Sequence, residues 1–238
     1  MKILCVIPSR IQSTRLPRKA LQLIQGKPMI QWVYENASKC SSITKVVVAT
    51  DSSEIAAVIA NCNGEVAMTS PDLPTGSDRV AAVAAKYPDM DIVINLQGDE
   101  PFIKPKMLEQ LIAPYLTGTN PEMTTLAAKL SEHKYNNPRV VKVITTVSGK
   151  ALYFSRSPIP YCSTTPKLAY HHIGLYAFRR DFLLLYRTLP QTPLEKAESL
   201  EQLRALEHGY SIQVCLTAEK TLEINNANDL LLAQSFKF

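Results

Sequence analysis

Four cations, Arg10, Arg15, Arg18 and Lys19, fall within ten residues of the stretch PSRIQSTRLPRKAL, and no acidic residue stands among them. Such a loop suits a polyphosphate, because arginine grips phosphate through paired N–H donors and lysine adds a point charge. A solvated basic loop is the plainer meaning of the same cluster. Further on, VINLQGDEPFI ends an apolar run at Gln97 and places Asp99 and Glu100 beside Gly98. A carboxylate there, opposite a phosphate-gripping loop, is where Mg²⁺ would be held, since magnesium commonly takes one or two protein carboxylates and completes its shell with phosphate oxygens and water. A polar turn is the alternative. In TSPDLPTGSDRV, Thr75, Gly76 and Ser77 offer donors at an expected helix start, with Arg79 one turn in. That pattern suits a base or a phosphate, and it equally describes an ordinary N-cap.

These residues need elements to hold them. Short β-branched runs at residues 3–7, 45–49, 65–68 and 91–96 read as strands, and residues 29–39, 52–61 and 77–86 carry apolar side chains at helical spacing. Asp51 followed by Glu54 predicts a capping box at the second of these helices. The β-α-β-α rhythm predicts an α/β fold: a three-layer, Rossmann-like, mostly parallel sheet covered by helices. Ligands of such sheets collect beyond the carboxyl ends of the strands, so the basic loop and the GDEP turn are expected on one edge. Neither GxGxxG nor GxxxxGK[ST] describes the basic loop, which sets aside the dinucleotide and P-loop readings. Past residue 120 strands are expected at 124–130, 140–147, 172–178 and 211–216. SRSPIPYCSTTPK reads as a loop, and helices are expected at 194–208 and 226–234. No linker divides the chain, so residues 1–238 read as one domain, with 1–120 as the nucleotide-binding half and 121–238 as an elaborated half for substrate selection or dimer contacts.

Composition narrows the function class. Residues 1–34 hold six basic residues and no acid, while the remainder is nearly neutral, so the net charge of +5 belongs to the N-terminal segment. A nucleic-acid-binding module would interleave its cations with stacking aromatics. Here the first aromatic, Trp32, lies beyond the cluster, and no nucleic-acid partner is expected. Five scattered cysteines without zinc-like spacing suit reduced thiols in a cytosol. The first apolar run stops at Pro8, too short for a signal peptide, and no run is long enough to span a bilayer. A cytoplasmic location is expected.

Taken together, PSRIQSTRLPRKAL, TGSDRV, NLQGDEP, ALYFSR, HIGLY and PLEKAESLEQLR occur in the order found in 3-deoxy-D-manno-octulosonate cytidylyltransferases, the CMP-Kdo synthetases, and the chain resembles that family nearly from end to end. The related sialic acid and molybdenum-cofactor cytidylyltransferases share a basic N-terminal loop without this combination. The resemblance implies a nucleotidyltransferase fold, CTP and a 2-keto-3-deoxy sugar acid as substrates, Mg²⁺ as cofactor, a homodimer, and a role in lipopolysaccharide synthesis. It implies that Arg10, Ser13, Arg15 and Lys19 surround the triphosphate, with Arg15, Lys19 and Asp99 as the catalytic groups. Thr75, Ser77 and Arg79 would lie on the cytidine side and Gln97 near the reaction centre. Arg156, His172, Tyr176, Glu201 and Gln202 would line the sugar-acid pocket, Arg156 gripping the carboxylate. A related acceptor, amino-substituted or sialic-acid-like, stays open.

Two positions depart from the family pattern. Where the family reads STRLPGK, this chain has Arg18 in place of glycine, either an added phosphate contact or an outward-pointing cation. Where a second metal-binding aspartate is expected, LEINNANDL places Asn225, and the metal set becomes Asp99 with Asn225, or with Glu223 two residues earlier.

Overall fold

The computed structural model describes residues 1–161 and 168–236, so the later part of the SRSPIPYCSTTPK loop, Cys162 included, lies outside the described residues. The chain divides into two compact units, residues 1–109 with 220–238, and residues 110–219. Residues 220–238 therefore return to the unit that holds the basic loop.

The first unit begins with β1 (Ile3–Ser9), followed by a short ribbon, β2 (Leu23–Ile24) and β3 (Lys27–Pro28), and then α1 (Met29–Ser38). It continues with β4 (Lys45–Thr50), α2 (Ser53–Asn61), β5 (Glu65–Met68), α3 (Gly76–Ala84) and β6 (Ile92–Asn95). Strand β1 pairs in parallel with β4 and β6, and β4 with β5. Ile3 through Ile7 are buried, as expected of a strand covered on both faces. Because the three central strands run the same way, the basic loop after β1, Asp51 after β4 and the turn after β6 emerge at one edge. The cap of α2 is Ser52, whose side chain accepts from the Ile55 amide at 3.4 Å. The expected Asp51–Glu54 box does not form, because Asp51 is engaged elsewhere.

Helix α4 (Pro105–Leu116), not foreseen from periodicity, leads into the second unit. There follow β7 (Met123–Lys129), β8 (Lys142–Thr145), β9 (Ala151–Ser155), β10 (Ala169–Arg179), α5 (Arg180–Tyr186), α6 (Pro193–Glu198), α7 (Leu203–Glu207) and β11 (Ile212–Thr217). Here β11 lies parallel to β7, and β7–β10, β10–β8 and β8–β9 pair antiparallel. The single helix expected over 194–208 is two helices. Ser199 turns left-handed (φ 53°, ψ 50°) and ends α6, so Leu200–Gln202 form a turn ahead of α7. Strand β10 bulges between Ile173 and Tyr176, which oppose the adjacent residues Leu126 and Thr125.

The chain closes on α8 (Ala227–Ala233), capped reciprocally by Asn226 and Asp229. Ile224 and Ala233 are buried with Leu16, Ile24, Met29 and Phe102 of the first unit, and Phe236 packs on Phe102 at a ring-centroid separation of 4.3 Å. This apolar cluster fixes residues 220–226 beside the basic loop. No helix among the described residues is long and apolar enough to cross a membrane.

Candidate active site

The first unit joins the basic loop to the GDEP turn directly. Lys19 Nζ lies 2.5 Å from Asp99 Oδ2, and both side chains are less than one-fifth exposed. Lys19 sits at the start of a 3₁₀ turn, Lys19–Leu21, entered through Arg18 at φ 52°, ψ 38°. That left-handed geometry is the one a glycine adopts without steric cost, which accounts for glycine at this position in the resembling family. The Arg18 guanidinium pairs with Glu54 on an exposed face, so it points outward. The GDEP turn is tight for a related reason. A Cβ added at Gly98 would meet the Pro8 carbonyl oxygen at 3.0 Å, so any side chain would push the turn away from the end of β1.

The returning tail completes this group. Ile224 N donates to the Asp99 carbonyl at 3.0 Å, and Arg15 Nη2 donates to Asn225 Oδ1 at 2.9 Å. Glu223 has its carboxyl raised, first by the protein that thins its hydration and then by the charge of Asp99. The residue keeps solvent access, so the charge repulsion is the part a bound cation would reverse. Glu100 is buried, accepts from Thr221 Oγ1 at 2.6 Å, and is pushed up to about 8 by burial and then by Glu223 and Asp99. It therefore carries a proton at neutral pH. The donors gathered here are two carboxylates, of Asp99 and Glu223, and the amide oxygen of Asn225. All are hard oxygen ligands of the kind magnesium takes, and no cluster of three or more His, Cys, Asp or Glu that could hold a metal occurs among the described residues. The donor set fits an ion that fills its shell with phosphate and water. The Asn225 oxygen already accepts from Arg15, and Glu223 lies near enough to Asp99 to feel its charge.

The remaining nucleotide candidates lie along the same edge. Arg10 is exposed directly after β1, and Ser13 is half-buried in the loop. Thr75 caps α3, its hydroxyl accepting from the Asp78 amide at 3.1 Å. Ser77 Oγ accepts from Asn95 Nδ2 at 3.3 Å, and Asn95 Oδ1 accepts from Gln97 Nε2 at 3.0 Å. Arg79 lies beneath the start of α3 rather than at its surface. It is 3% exposed, and its guanidinium bonds to Thr69 Oγ1 and lies 3.5 Å from Asp51 Oδ2. Asp51 in turn accepts from the Ile11 amide at 3.1 Å. Arg79 thus braces the basic loop through Asp51. In sequence Asp51 reads as a helix cap, and only its pairing to residues 40 positions before and 28 after ties it to the basic loop.

The sugar-acid candidates all belong to the second unit. His172 is buried, its Nε2 3.0 Å from Thr125 Oγ1 and its ring edge-on to Phe154 at 4.9 Å. Burial, and secondarily His171, lowers its pKa to about 3, so it is neutral at physiological pH. The bulge in β10 contracts the strand and brings the His172 and Tyr176 rings to 5.6 Å. The Tyr176 hydroxyl donates to Gln202 Oε1 at 3.0 Å. Gln202 is 2% exposed and its Nε2 makes no hydrogen bond, leaving one buried donor unspent. Glu201 is fixed through its carbonyl, which accepts from Tyr186 at 2.6 Å. Beneath this turn, Arg204 and Glu195 form a buried pair at 2.5 Å. Arg156, at the end of β9, is held by Glu198 and Pro138.

Comparison with known proteins identifies the family to which the chain belongs. A family model described as cytidylyltransferase matches residues 4–216. The 3-deoxy-manno-octulosonate cytidylyltransferase of Acaryochloris marina (strain MBIC 11017) is 53% identical over 238 residues, covering 99% of this chain and 97% of that protein. The protein of the same name from Geobacter sulfurreducens is 44% identical over 243 residues, covering 97% of each. Among solved structures, CMP:2-keto-3-deoxy-manno-octonic acid synthetase complexed with CTP has a TM-score of 0.92 at 40% identity, covering 99% of this chain and 100% of that one. The 4-diphosphocytidyl-2C-methyl-D-erythritol synthase of Anaerococcus prevotii, with a TM-score of 0.66, 13% identity and coverage of 98% and 97%, shares the fold alone.

Proposed function

Since the chain belongs to the cytidylyltransferase family, we propose that it transfers CMP from CTP to the anomeric hydroxyl of 3-deoxy-manno-octulosonate, releasing pyrophosphate. The observation that carries this reading is the Lys19–Asp99 contact, which gathers the only surplus of cations and the GDEP carboxylate in one place.

Arg10, Ser13, Arg15 and Lys19 hold the triphosphate, with Thr75, Ser77 and Gln97 on the cytidine side. Arg79 acts by bracing the loop. Arg156 grips the sugar carboxylate through paired N–H donors, while His172, Tyr176, Glu201 and Gln202 line the pocket. Gln202 Nε2 offers its unspent donor to a sugar oxygen, because a buried donor without a partner costs free energy that a ligand recovers. His172, neutral, serves as a hydrogen-bonding wall rather than an acid. In the transfer the anomeric oxygen bonds to the α-phosphorus in line as the bond to the β-phosphate oxygen breaks. The electron pair leaves with pyrophosphate, and the hydroxyl proton passes to solvent. Lys19 and the arginines offset charge developing on the leaving group, so catalysis is chiefly positioning and electrostatic stabilisation. Asp99 and Glu223 would hold Mg²⁺, with Asn225 keeping Arg15 in place; when bound, the ion neutralises phosphate charge and polarises the α-phosphate. A cytoplasmic homodimer serving lipopolysaccharide synthesis completes the proposal.

The test is pyrophosphate release with each of the four nucleoside triphosphates against a panel of keto-deoxy acids, with and without Mg²⁺. Release confined to CTP, Mg²⁺ and the octulosonate is expected; equal turnover with another nucleotide or another acid overturns the assignment.

A further inference from the structure

Glu198, the last residue of α6, meets the end of β9 through three hydrogen bonds. Its Oε1 accepts from Ser155 Oγ at 2.5 Å, its Oε2 from the Arg156 amide at 2.9 Å, and its main-chain carbonyl from Arg156 Nε at 2.9 Å. Arg156 Nη1 adds a 3.3 Å bond to the Pro138 carbonyl. Both partners of the guanidinium are neutral carbonyls, so the Glu198 carboxylate holds the backbone of Arg156 without pairing with its charge. Among the described residues nothing is bonded to Nη2, and Nη1 keeps a second hydrogen. What stays free is the end-on fork of the guanidinium, the face that receives a carboxylate through two parallel bonds.

Lys142 lies under the same strand end. It is fully buried, and its ammonium spends its three hydrogens on the carbonyls of Val140 at 2.8 Å, Asn137 at 3.1 Å and Arg156. Burial lowers its pKa, Glu198 opposes that shift and Arg156 adds to it, which marks the three charges as neighbours. A buried lysine is rarely retained without a counter-charge. Here Lys142 and Glu198 offset each other, and one positive charge, on Arg156, is left for an anionic ligand.

We infer that Glu198 is a positioning residue for the sugar acid: it fixes Arg156 with the end-on fork free, while Lys142 balances the Glu198 charge so that the Arg156 guanidinium stays uncompensated. This rests on the reading of Arg156 as the carboxylate grip. Neither Glu198 nor Lys142 stands out in sequence, because a glutamate at a helix end and a lysine opening a strand look solvated.

The experiment compares Glu198→Ala and Glu198→Gln in pyrophosphate release, with CTP affinity measured separately by calorimetry. Glu198→Ala removes both acceptors and is expected to raise the KM for the sugar acid about thirtyfold, the loss that accompanies one charged hydrogen bond, with the CTP Kd within about twofold. Glu198→Gln keeps an acceptor for the Arg156 amide and a polar partner for Ser155, and is expected to recover most of that loss. Should Glu198→Ala fail to fold, Lys142→Met tests the same point: an unbalanced Glu198 beside Arg156 is expected to raise the sugar-acid KM about tenfold at unchanged CTP affinity. A Glu198→Ala enzyme that binds CTP and keeps its sugar-acid KM, while Arg156→Gln loses it, overturns the inference and leaves the Arg156 reading standing. An unchanged sugar-acid KM in Arg156→Gln overturns both.

Discussion

Asp99→Asn separates a catalytic carboxylate from a structural one. Asparagine keeps the size of the side chain, and the main-chain bond from Ile224 N to residue 99 does not depend on it. What disappears is the charge, with two opposed consequences for stability. The partly buried pair with Lys19 is lost, a cost of about 1–2 kcal/mol, between the exposed and buried limits. Against this, Asp99 raises the carboxyl of Glu223 by like-charge repulsion, and that repulsion is relieved. The net change in folding free energy is expected within about 1 kcal/mol. Turnover should nevertheless fall by about a hundredfold or more, the loss typical of removing one electrostatic stabiliser, or about 2.7 kcal/mol of barrier. Pyrophosphate release at saturating CTP and Mg²⁺, set beside urea unfolding of the same preparation, reads both numbers. Near-normal turnover would refute the role of Asp99, and so would a loss of activity that merely tracks the unfolded fraction.

Three further outcomes follow from named contacts. Arg18→Gly removes the left-handed strain and an exposed pair with Glu54; stability should hold or rise by up to about 1 kcal/mol with KM for CTP within about twofold, whereas a large KM increase would make Arg18 a phosphate ligand. Glu223→Gln should raise the Mg²⁺ concentration for half-maximal rate about tenfold, as loss of one nearby unit charge predicts, and Asn225→Asp should lower it; metal titration of pyrophosphate release decides. His172 is depressed to about 3 in the folded chain from an ordinary value of 6.5, so the unfolded chain binds a proton the folded one refuses. The stability is complete above about pH 6.5 and is lost as pH falls toward 3, by about 2 kcal/mol at pH 5. Urea midpoints at pH 7 and 5 should show that loss, and His172→Gln should reduce the slope by this share, leaving the part due to His171, which is lowered to about 4.

Legibility followed locality. The β1 run, the α3 cap at Thr75 and the terminal helix were readable because apolar period and cap chemistry act within a few residues. The single helix expected over 194–208 is broken in two, and nothing nearby announces a serine turning left-handed; Leu200 and Gln202 are buried around the break, and that burial holds it. Strand β9 was missed since its five residues alternate too briefly to stand out. Sequence shows the charge of Arg79 and not the Asp51 and Thr69 that it meets in the folded chain.

The order of motifs, the single pool of surplus cations and the residue types offered to phosphate, metal and sugar acid are properties of the chain alone, since charge and hydrogen-bonding capacity travel with each side chain. Which of those groups meet was decided by tertiary structure. Lys19 reaches Asp99 across 80 positions and Arg15 reaches Asn225 across 210, because parallel strand pairing brings distant loops to one edge and the burial of Ile224 and Ala233 draws the tail back to it. Contacts of that span depend on register and core packing, which no local pattern encodes.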